Sequence, residues 1–332
     1  MTEARGWTYW TRNKLQILED YVSAFNIASQ GKASERIYID LMAGRPDNFD
    51  RDTREQIAGS AKIALASEPP FTRLAFGEMP DTAATLDAEL RRSFPGRDFR
   101  VYPGDCNITV AQMLADLEPY RWAPTFAFLD QQAAELHWET IRALASFRRV
   151  RGSLDSPAKF KAEQWILWSP TFVFRGLTTA NPTAYIDRVD RMYGTRTWRR
   201  IFQARREGRI TAPAWRAEMV NLLRWRLEQE LGYKRTFRIP MKMLNGTTIY
   251  DMVFATDHDA GARIMSHLYK KAAEREPKLR AEVQELRPPT LDGDLLAGLE
   301  GWNPEVLQAS ALPAWQSEPC WDPSANSSWE DE

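Results

Sequence analysis

The chain has 332 residues, of which 43% are hydrophobic, and its formal net charge at pH 7 is -1. This composition predicts a soluble globular protein that buries a sizeable core, and it argues neither for nor against a nucleic-acid partner. Cys106 and Cys320 lie far apart without a neighbouring cysteine, which gives no support for a disulfide framework or a zinc cluster. The histidines, His137, His258 and His267, are too scattered for a metal site.

Neither a targeting segment nor a membrane span is predicted. Residues 1–8 lack a basic stretch followed by an apolar core, which is the pattern of a secretory signal. No apolar run in the chain approaches the length needed to cross a bilayer. We therefore expect a cytoplasmic protein without a membrane partner.

The first half of the chain alternates between helix and strand patterns. A leading helix is predicted at 11–29, and a polar loop at 45–56. Short apolar runs predict strands at 37–40, 73–76, 99–102, 125–129 and 164–168, and periodic stretches predict helices at 60–67, 82–93, 110–117 and 138–147. Strands that alternate with helices imply right-handed crossovers and a parallel sheet.

The second half breaks this alternation. Several helices are predicted between 185 and 231, followed by strands at 236–239 and 249–255 that flank an Asn-Gly pair, a strong hairpin signal. A helix at 260–274 completes the pattern. Five parallel strands that end in an antiparallel hairpin predict a Rossmann-like α/β fold of the class I methyltransferase type, with a helical insertion before the hairpin.

The predicted organisation has five parts. They are an N-terminal helical segment (1–35), a methyltransferase-like core (36–170), a basic helical insertion (171–232), the hairpin and helix that complete the core (233–286), and an acidic tail (287–332). The tail carries one basic residue, nine acidic residues and four tryptophans. A segment this polar is poorly ordered alone, but its tryptophans predict that it docks on this chain or on another.

Four acidic residues each end an apolar run of the predicted sheet. They are Asp40, Glu78, Asp105 and Asp130, which follow the first four predicted strands. Ligands of such sheets bind beyond the carboxyl ends of the strands, so these carboxylates are candidates for contact with a cofactor. Each also has a structural explanation, because aspartate caps helices and favours turns. Four such residues in register favour a binding edge.

Several blocks of the chain resemble the three-Cys-motif partner proteins (TcmP), bacterial proteins with a methyltransferase-like core. They occur in the family's order between Trp10 and Ala272: WTRNKLQIL at 10–18, YIDLMAG at 38–44, GSAKIAL at 59–65, FLD at 128–130, WETI at 138–141 and FATDH at 254–258. The resemblance implies a pocket for S-adenosylmethionine and a partner, the three-Cys-motif protein after which the family is named. It also implies association with a mobile or defence-related gene cluster.

Glu78 and Asp105 are the candidates for the adenosine half of this cofactor. A carboxylate at the end of the second strand can accept both ribose hydroxyls, and helix capping or a solvated charge is the alternative explanation of Glu78. Asp105, followed by Cys106, resembles the acid that meets the adenine amino group. An Asx turn after Gly104 is the alternative explanation of Asp105.

The loop after the first strand is the candidate for the methionine half, with Asp40, Ala43 and Gly44 shaping it. Small residues are needed there because the backbone must approach the cofactor closely. The family carries Gly, Pro and Gly where this chain has Leu41, Arg45 and Pro46. A leucine side chain could fill part of the cofactor space, and a proline lacks a backbone donor. A tight loop without a ligand is therefore the alternative.

Asp130 and Gln131 are the candidate catalytic residues. Asp130 stands where amino-methyltransferases begin the DPPY-like or DPFG-like loop that orients a flipped-out base or another amine. This chain continues with Gln131, Gln132 and Ala133, so it lacks the rigid proline and the stacking aromatic but keeps hydrogen-bonding groups. Methyl transfer depends on proximity and alignment. Two hypotheses therefore stand: an enzyme that methylates an amine, and a catalytically inactive adaptor with the same fold.

The insertion is predicted to bind nucleic acid. Residues 188–242 carry fifteen Lys or Arg against five acids, interleaved with aromatic residues. Basic groups neutralise phosphates and aromatic rings stack on bases. The candidate contacts are Arg199, Arg200, Arg205, Arg206 and Arg209. The alternative is that the arginines solvate helices whose core holds the aromatics, and the acidic tail could also lie against the insertion and mask it.

Overall fold

The computed structural model of the chain describes residues 6–7, 9–50, 55–153, 155–178, 182–286 and 317–325. The elements of its first half are β1 (Gly6–Trp7), α1 (Tyr9–Gln30), β2 (Ile37–Asp40), β3 (Asp47–Asp50), β4 (Gln56–Ala58), α2 (Ser60–Ala66), β5 (Arg73–Glu78), α3 (Pro80–Ser93), β6 (Phe99–Pro103), α4 (Cys106–Asp116), β7 (Thr125–Leu129) and α5 (Trp138–Ala145). The chain continues with β8 (Glu163–Trp168), α6 (Pro170–Leu177), α7 (Pro182–Tyr193), α8 (Thr197–Arg206), α9 (Ala212–Gln229), β9 (Arg235–Lys242), β10 (Thr248–Thr256) and α10 (Asp259–Leu286).

Seven strands form the central sheet in the order β6-β5-β2-β7-β8-β10-β9. The pairs from β6 to β8 are all parallel, whereas β10 runs antiparallel to both β8 and β9. Helices α6 to α9 lie in the chain between the last parallel strand and the hairpin. The predicted Rossmann-like fold, with its terminal hairpin and helical insertion, is confirmed.

The order of the strands reverses at β2, which lies between β5 and β7. In register, Asp40 at the end of β2 is opposite Phe76 of β5 and Phe128 of β7. The chain first builds the sheet on one side of β2 and then on the other, so a crevice forms beyond the carboxyl ends of β2 and β7. Rossmann-like sheets bind their ligands at this point.

The sheet is buried on both faces, which explains why its strands read as continuous apolar runs rather than alternating ones. Along β2, Ile37 and Ile39 belong to one apolar cluster with helices α4 to α9, and Tyr38 belongs to the other with α1, α2, α3 and α10. Trp165 and Trp168 of β8 are completely buried, one in each cluster. The inserted helices therefore share a core with the sheet.

The predicted polar loop at 45–56 is wrong. In this stretch β3 and β4 pair antiparallel, and β1 pairs parallel with β3, so the short strands form a three-stranded sheet. The backbone N–H of Gly59 donates to the carbonyl of Pro46 at 2.8 Å, which ties this small sheet to the start of α2. Sequence patterns miss it because its strands are short and polar and pair with residues 6–7, far away in the chain.

Two helix boundaries differ from the prediction by more than two residues. Helix α4 begins at Cys106, earlier than expected, because the Asp105 side chain accepts the backbone N–H of Asn107 at 2.8 Å and caps the helix. Helix α10 extends beyond its expected end to Leu286, with Pro277 inside it. No helix in the described part of the chain is both long enough and apolar enough to cross a membrane.

Candidate functional site

A cavity of about 590 Å³ opens at the carboxyl edge of the sheet, where the order of the strands reverses. Its walls come from the loop after β2 (42–45), the loop after β7 (130–133), the first turns of α1 and the start of α2. Phe172 of α6 and Tyr250 of β10 also line the cavity. A cavity of this size holds a small organic molecule or one end of a larger cofactor.

A buried ion pair lies in the wall of the cavity. The Lys14 ammonium of α1 contacts the Asp130 carboxylate, and the two side chains are 4% and 25% exposed. The Nζ atom of Lys14 also lies 5.9 Å from the ring centroid of Phe128 and 5.8 Å from that of Tyr250. A charge as shielded as that of Lys14 is costly without a partner, so the pair fixes Asp130 and joins α1 to the loop after β7.

The hydroxyl of Tyr250 is buried and forms no hydrogen bond with the described residues. Its ring lines the cavity, close to the ion pair. Burial, together with the charge of Asp130, raises the pKa of Tyr250 well above its usual value, so the hydroxyl stays protonated. A buried polar group without a partner costs about 1–3 kcal/mol, and a polar group of a bound molecule would satisfy it.

The sequence analysis missed both Lys14 and Tyr250. Lys14 follows Thr11 by one helical turn and precedes Leu18 by another, so it lies on the buried face of α1. A lysine on an apolar helical face is the signal that could have identified it. Tyr250 gave no comparable signal, because an aromatic residue in a strand is usually part of the core.

The Leu41 side chain does not narrow the cavity. The Leu41 side chain is buried with Val110 and Met113 in the core, and it is not among the described residues that line the cavity. Gly77 makes room for this part of the loop, because a Cβ atom there would lie 2.7 Å from the Leu41 carbonyl oxygen. Pro46 is bonded through its carbonyl, which accepts the backbone N–H of Gly59 before α2.

Four predicted site residues line the cavity: Ala43, Gly44, Asp130 and Gln131. The Gln131 side chain, however, is completely buried and bonded within its surroundings. Its Nε2 donates to the Leu167 carbonyl at 3.1 Å, and its Oε1 accepts two backbone N–H groups of its own loop at 3.1 and 3.2 Å. Gln131 therefore shapes the loop, and Asp130 is the member of the predicted catalytic pair that brings a charge to the cavity wall.

Asp40 lies beside the cavity and is completely buried. It accepts hydrogen bonds from the backbone N–H of Met42 at 3.2 Å and from the Tyr38 hydroxyl at 3.4 Å. Burial raises the pKa of Asp40 to about 7, and the negative charges of Asp130 and Glu78 act in the same direction. Hydrogen bonds to its charged form oppose this shift. Asp40 therefore titrates near neutral pH.

Glu78 and Asp105 lie side by side at the ends of β5 and β6, since the backbone N–H of Gly104 donates to the Glu78 carbonyl at 2.9 Å. Neither is among the described residues that line the cavity. Oε2 of Glu78 accepts the backbone N–H of Gly44 at 2.5 Å, which joins this edge to the loop after β2. Asp105 caps α4, as its structural explanation requires, and its role toward adenine stays a prediction.

Two apolar side chains that follow these carboxylates in the chain are exposed. Met79 follows Glu78 and is 58% exposed, and Ile108 in the first turn of α4 is 74% exposed. Burial raises the pKa of the neighbouring Cys106 thiol to about 12, so the thiol is neutral and a poor nucleophile. The edge thus combines carboxylates with exposed apolar side chains, an arrangement that suits a flat aromatic group with hydroxyls attached.

The candidate nucleic-acid residues lie on α8 and just after it, and some of them have partners in the insertion. Arg199 pairs with Asp190, with 3.0 Å between Nε and Oδ1, and Arg209 pairs with Glu207 at 2.7 Å. Such pairs lower the charge that these arginines offer to a phosphate. Three of the five candidates are exposed, namely Arg200, Arg206 and Arg209, and the other two, Arg199 and Arg205, are half-buried.

The aromatic residues of the insertion lie mostly inside the protein. Trp198, Trp215 and Tyr233 are buried in the cluster that covers one face of the sheet. Their rings therefore do not offer faces on which bases could stack, which agrees with the alternative interpretation of these residues. Arg200 and Arg206 are exposed on α8, and their binding to nucleic acid stays a prediction.

Comparisons with known proteins add no identity. No protein-family model and no curated protein matches the chain. The resemblance to the three-Cys-motif partner proteins, and the partner that it implies, therefore rest on the residue blocks alone. Within the described ranges, no group of three or more His, Cys, Asp and Glu side chains is placed to hold a metal ion.

Asp40→Asn should make stability less dependent on pH. A carboxyl whose pKa is raised in the folded protein contributes stability that is complete below about pH 4 and is lost as the pH rises to about 7. Because asparagine does not titrate, the free energy of unfolding of the variant, relative to the parent, should rise by about 2–4 kcal/mol between about pH 4.5 and about pH 8. Urea unfolding at the two pH values measures this, and a pH-independent difference would contradict it.

Proposed function

We propose that the protein binds S-adenosylmethionine at the carboxyl edge of its sheet and catalyses methyl transfer to an amine held in the cavity. The observation that supports this most strongly is the position of the cavity, which lies where the strand order reverses, between the loop after β2 and Asp130. The buried hydroxyl of Tyr250 in the same cavity needs a hydrogen-bond partner that the described residues do not provide. Ligands of Rossmann-like sheets bind at this point.

The loop after β2 fits the methionine end of this cofactor. Gly44 has a φ of 65°, which favours glycine, and it adds no side chain to the cavity. Arg45 follows it, is exposed, and lines the same cavity. We expect Arg45 to bind the carboxylate of the methionine group, because a guanidinium holds a carboxylate through two parallel hydrogen bonds.

Glu78 and the apolar edge fit the adenosine end. A carboxylate has about four acceptor positions. The described residues use three of them on Glu78, through the backbone N–H groups of Gly44 and Met79 and the hydroxyl of Thr82. One position remains for a ribose hydroxyl. Met79 and Ile108 would then contact the adenine ring.

The cavity would hold the methyl acceptor. S-adenosylmethionine would supply a methyl group on a positively charged sulfur. The neutral amine nitrogen would form the N–C bond as the C–S bond breaks, S-adenosylhomocysteine would leave as a neutral thioether, and the proton of the methylated amine would pass through the Asp130 carboxylate to solvent. Asp130 would accept a hydrogen bond from this amine and so direct its lone pair, while Lys14 holds the carboxylate in place. The Tyr250 hydroxyl would bind a second polar atom of the acceptor, and Trp10 and Phe172 would limit access of water.

A second function is favoured by one observation. The amide of Gln131 makes three local hydrogen bonds and Glu78 accepts three, so both groups are largely satisfied without a ligand. A chain that no longer transfers methyl groups would keep such contacts and act as an adaptor through its surfaces. The two functions differ in whether the protein binds the cofactor.

Truncation of Ile108 tests the adenosine site. Ile108→Ala removes an apolar contact with adenine without disturbing the core, because the side chain is 74% exposed. We expect the Kd for S-adenosylhomocysteine, measured by isothermal titration calorimetry, to rise about five- to tenfold. Ile27→Ala is the matched control, since Ile27 also lies on a helix and is 59% exposed, and it should leave the Kd unchanged.

The two outcomes that oppose this account are distinct. Equal Kd values for the parent and the Ile108→Ala variant would contradict the placement of adenine beside α4. A parent protein that binds neither S-adenosylmethionine nor S-adenosylhomocysteine at millimolar concentration would contradict the enzyme and favour the adaptor.

We also propose that the acceptor belongs to, or lies near, a nucleic acid that contacts α8, with a three-Cys-motif protein as partner. The exposed arginines of α8 and the excess of basic over acidic residues at 188–242 support the nucleic acid. The partner protein is supported by the residue blocks that resemble its family. Neither proposal depends on the buried aromatic residues of the insertion.

Charge reversal on α8 tests the nucleic-acid proposal. The double variant Arg200→Glu, Arg206→Glu should bind a short DNA or RNA oligonucleotide at least about tenfold more weakly than the parent, with a salt slope lower by about 2. Fluorescence anisotropy at several salt concentrations measures both values. The double variant Arg92→Glu, Arg142→Glu changes the same charge at exposed positions of α3 and α5 and should bind like the parent. Equal loss in both double variants would contradict a specific surface on α8.

A further inference from the structure

The tail segment 317–325 lies against α9 and against β9, which is an edge strand of the central sheet. Residues 287–316 separate it from the end of α10 in the chain. Its described hydrogen bonds to the rest of the protein go to three side chains of α9 and to two residues of β9. Their pattern is that of peptide recognition.

Asn221 binds the backbone of the segment with both ends of its side-chain amide. Its Nδ2 donates to the carbonyl of Trp321 at 2.8 Å, and its Oδ1 accepts the backbone N–H of Trp321 at 3.1 Å. The two bonds replace those that a neighbouring strand would offer to an extended chain. Because they involve only backbone atoms of the segment, they hold it without depending on the side chain at position 321.

Glu218 and Arg224 extend the contact along the helix. The indole Nε1 of Trp321 donates to Oε2 of Glu218 at 2.9 Å, and Nη2 of Arg224 donates to the Glu318 carbonyl at 2.8 Å. Residues 218, 221 and 224 are spaced three apart, so they form a row along one face of α9. The bond from the indole adds a preference for tryptophan to the backbone contacts.

The edge strand β9 completes the binding surface. Oγ of Ser317 accepts the backbone N–H of Arg238 at 2.6 Å and donates to its carbonyl at 3.3 Å. Sγ of Cys320 lies 3.6 Å from Oγ1 of Thr236 on the same strand. The segment thus covers backbone groups that an edge strand leaves open.

The described bonds from the segment to α9 and β9 use its backbone, hydroxyl, thiol and indole groups. Glu318 binds Arg224 through its carbonyl oxygen, and Asp322 bonds to Ser324 within the segment. Among the described contacts, no carboxylate of 317–325 pairs with an arginine of the insertion. The segment thus lies against α9 of the basic insertion through hydrogen bonds. Seven of the nine acidic residues of the tail lie outside the described residues, so the expected masking of the basic helices by charge stays a prediction.

Residues 218, 221 and 224 of α9 are polar and buried, whereas the other buried residues of this helix are mostly apolar. Glu218, Asn221 and Arg224 are only 6%, 1% and 3% exposed with the segment in place. Buried polar side chains are costly unless they are hydrogen-bonded, and the backbone and indole of the segment supply bonds to all three. The segment therefore supplies a bond to each of these residues, and Arg224 also donates to the hydroxyl of Thr236 at 3.0 Å and to its carbonyl at 3.2 Å.

We propose that α9 and β9 form a peptide-binding groove whose ligand is the segment 317–325, and that the groove accepts this segment from a second copy of the chain as well as from its own. The bonds are the same in both cases, because none of them involves residues 287–316. Within one chain the covalent connection gives the segment an effective concentration of about a millimolar, which favours the intramolecular contact. Exchange of the segment between two copies can be detected as a dimer when the contact within each chain is weakened.

Complementary variants test the exchange. Trp321→Ala leaves the groove intact and damages the segment, whereas Asn221→Ala leaves the segment intact and damages the groove. Each full-length variant alone should sediment as a monomer at about 10 μM, and an equimolar mixture should contain a dimer in which one variant supplies the segment and the other the groove. A mixture that sediments as the sum of its two components would overturn the exchange.

Hydrogen exchange of the unaltered protein tests the separability of the segment without any variant. The amide of Trp321 should exchange at least about a hundredfold faster than amides of β7, because a separable ligand leaves its groove without global unfolding. A synthetic peptide of residues 316–325, added in excess, should accelerate that exchange further by competing for the groove. Protection of Trp321 equal to that of β7, unaffected by the peptide, would show that the segment is an integral part of the core and would overturn the groove.

Discussion

The parallel pairing of β2 with β5 on one side and with β7 on the other is the constraint on which the candidate site depends. Parallel strands bring their carboxyl ends to one edge, so Asp40, Glu78 and Asp130 meet there although they are far apart in the chain. The reversal of strand order opens the crevice. Burial of both faces keeps the register, since a shift by one residue would exchange the side chains of the two apolar clusters.

The negative charge of each carboxylate at this edge is neutralised, reduced or stabilised in a different way. Lys14 neutralises Asp130, burial raises the pKa of Asp40 so that it carries a partial charge at neutrality, and backbone N–H groups stabilise Glu78. The edge therefore collects several acids without their full mutual repulsion. What remains is a moderately negative surface beside an apolar one, which suits the positively charged sulfur and the adenine of the proposed cofactor.

The sequence predicts the central sheet well, because its buried strands are apolar runs and the intervening helices are periodic. It also predicts that Gly44 and Asp130 lie at the binding edge, since both follow strand ends. It does not predict the sheet formed by β1, β3 and β4, whose strands are polar and are defined by long-range pairing. Lys14 is missed although its position on the apolar face of α1 is a signal, and Tyr250 is missed because only the packing of β10 against the edge brings it to the cavity. The buried polar row of α9 depends on the distant tail segment in the same way.

A crystal structure of the protein grown with S-adenosylhomocysteine tests the central claim most directly. The account predicts adenine beside Met79 and Ile108, a ribose hydroxyl on Glu78, and the homocysteine group along residues 42–45, with its sulfur facing the cavity that Lys14 and Asp130 border. Electron density for the ligand elsewhere on the protein, or an edge that stays empty at saturating ligand concentration, would contradict it.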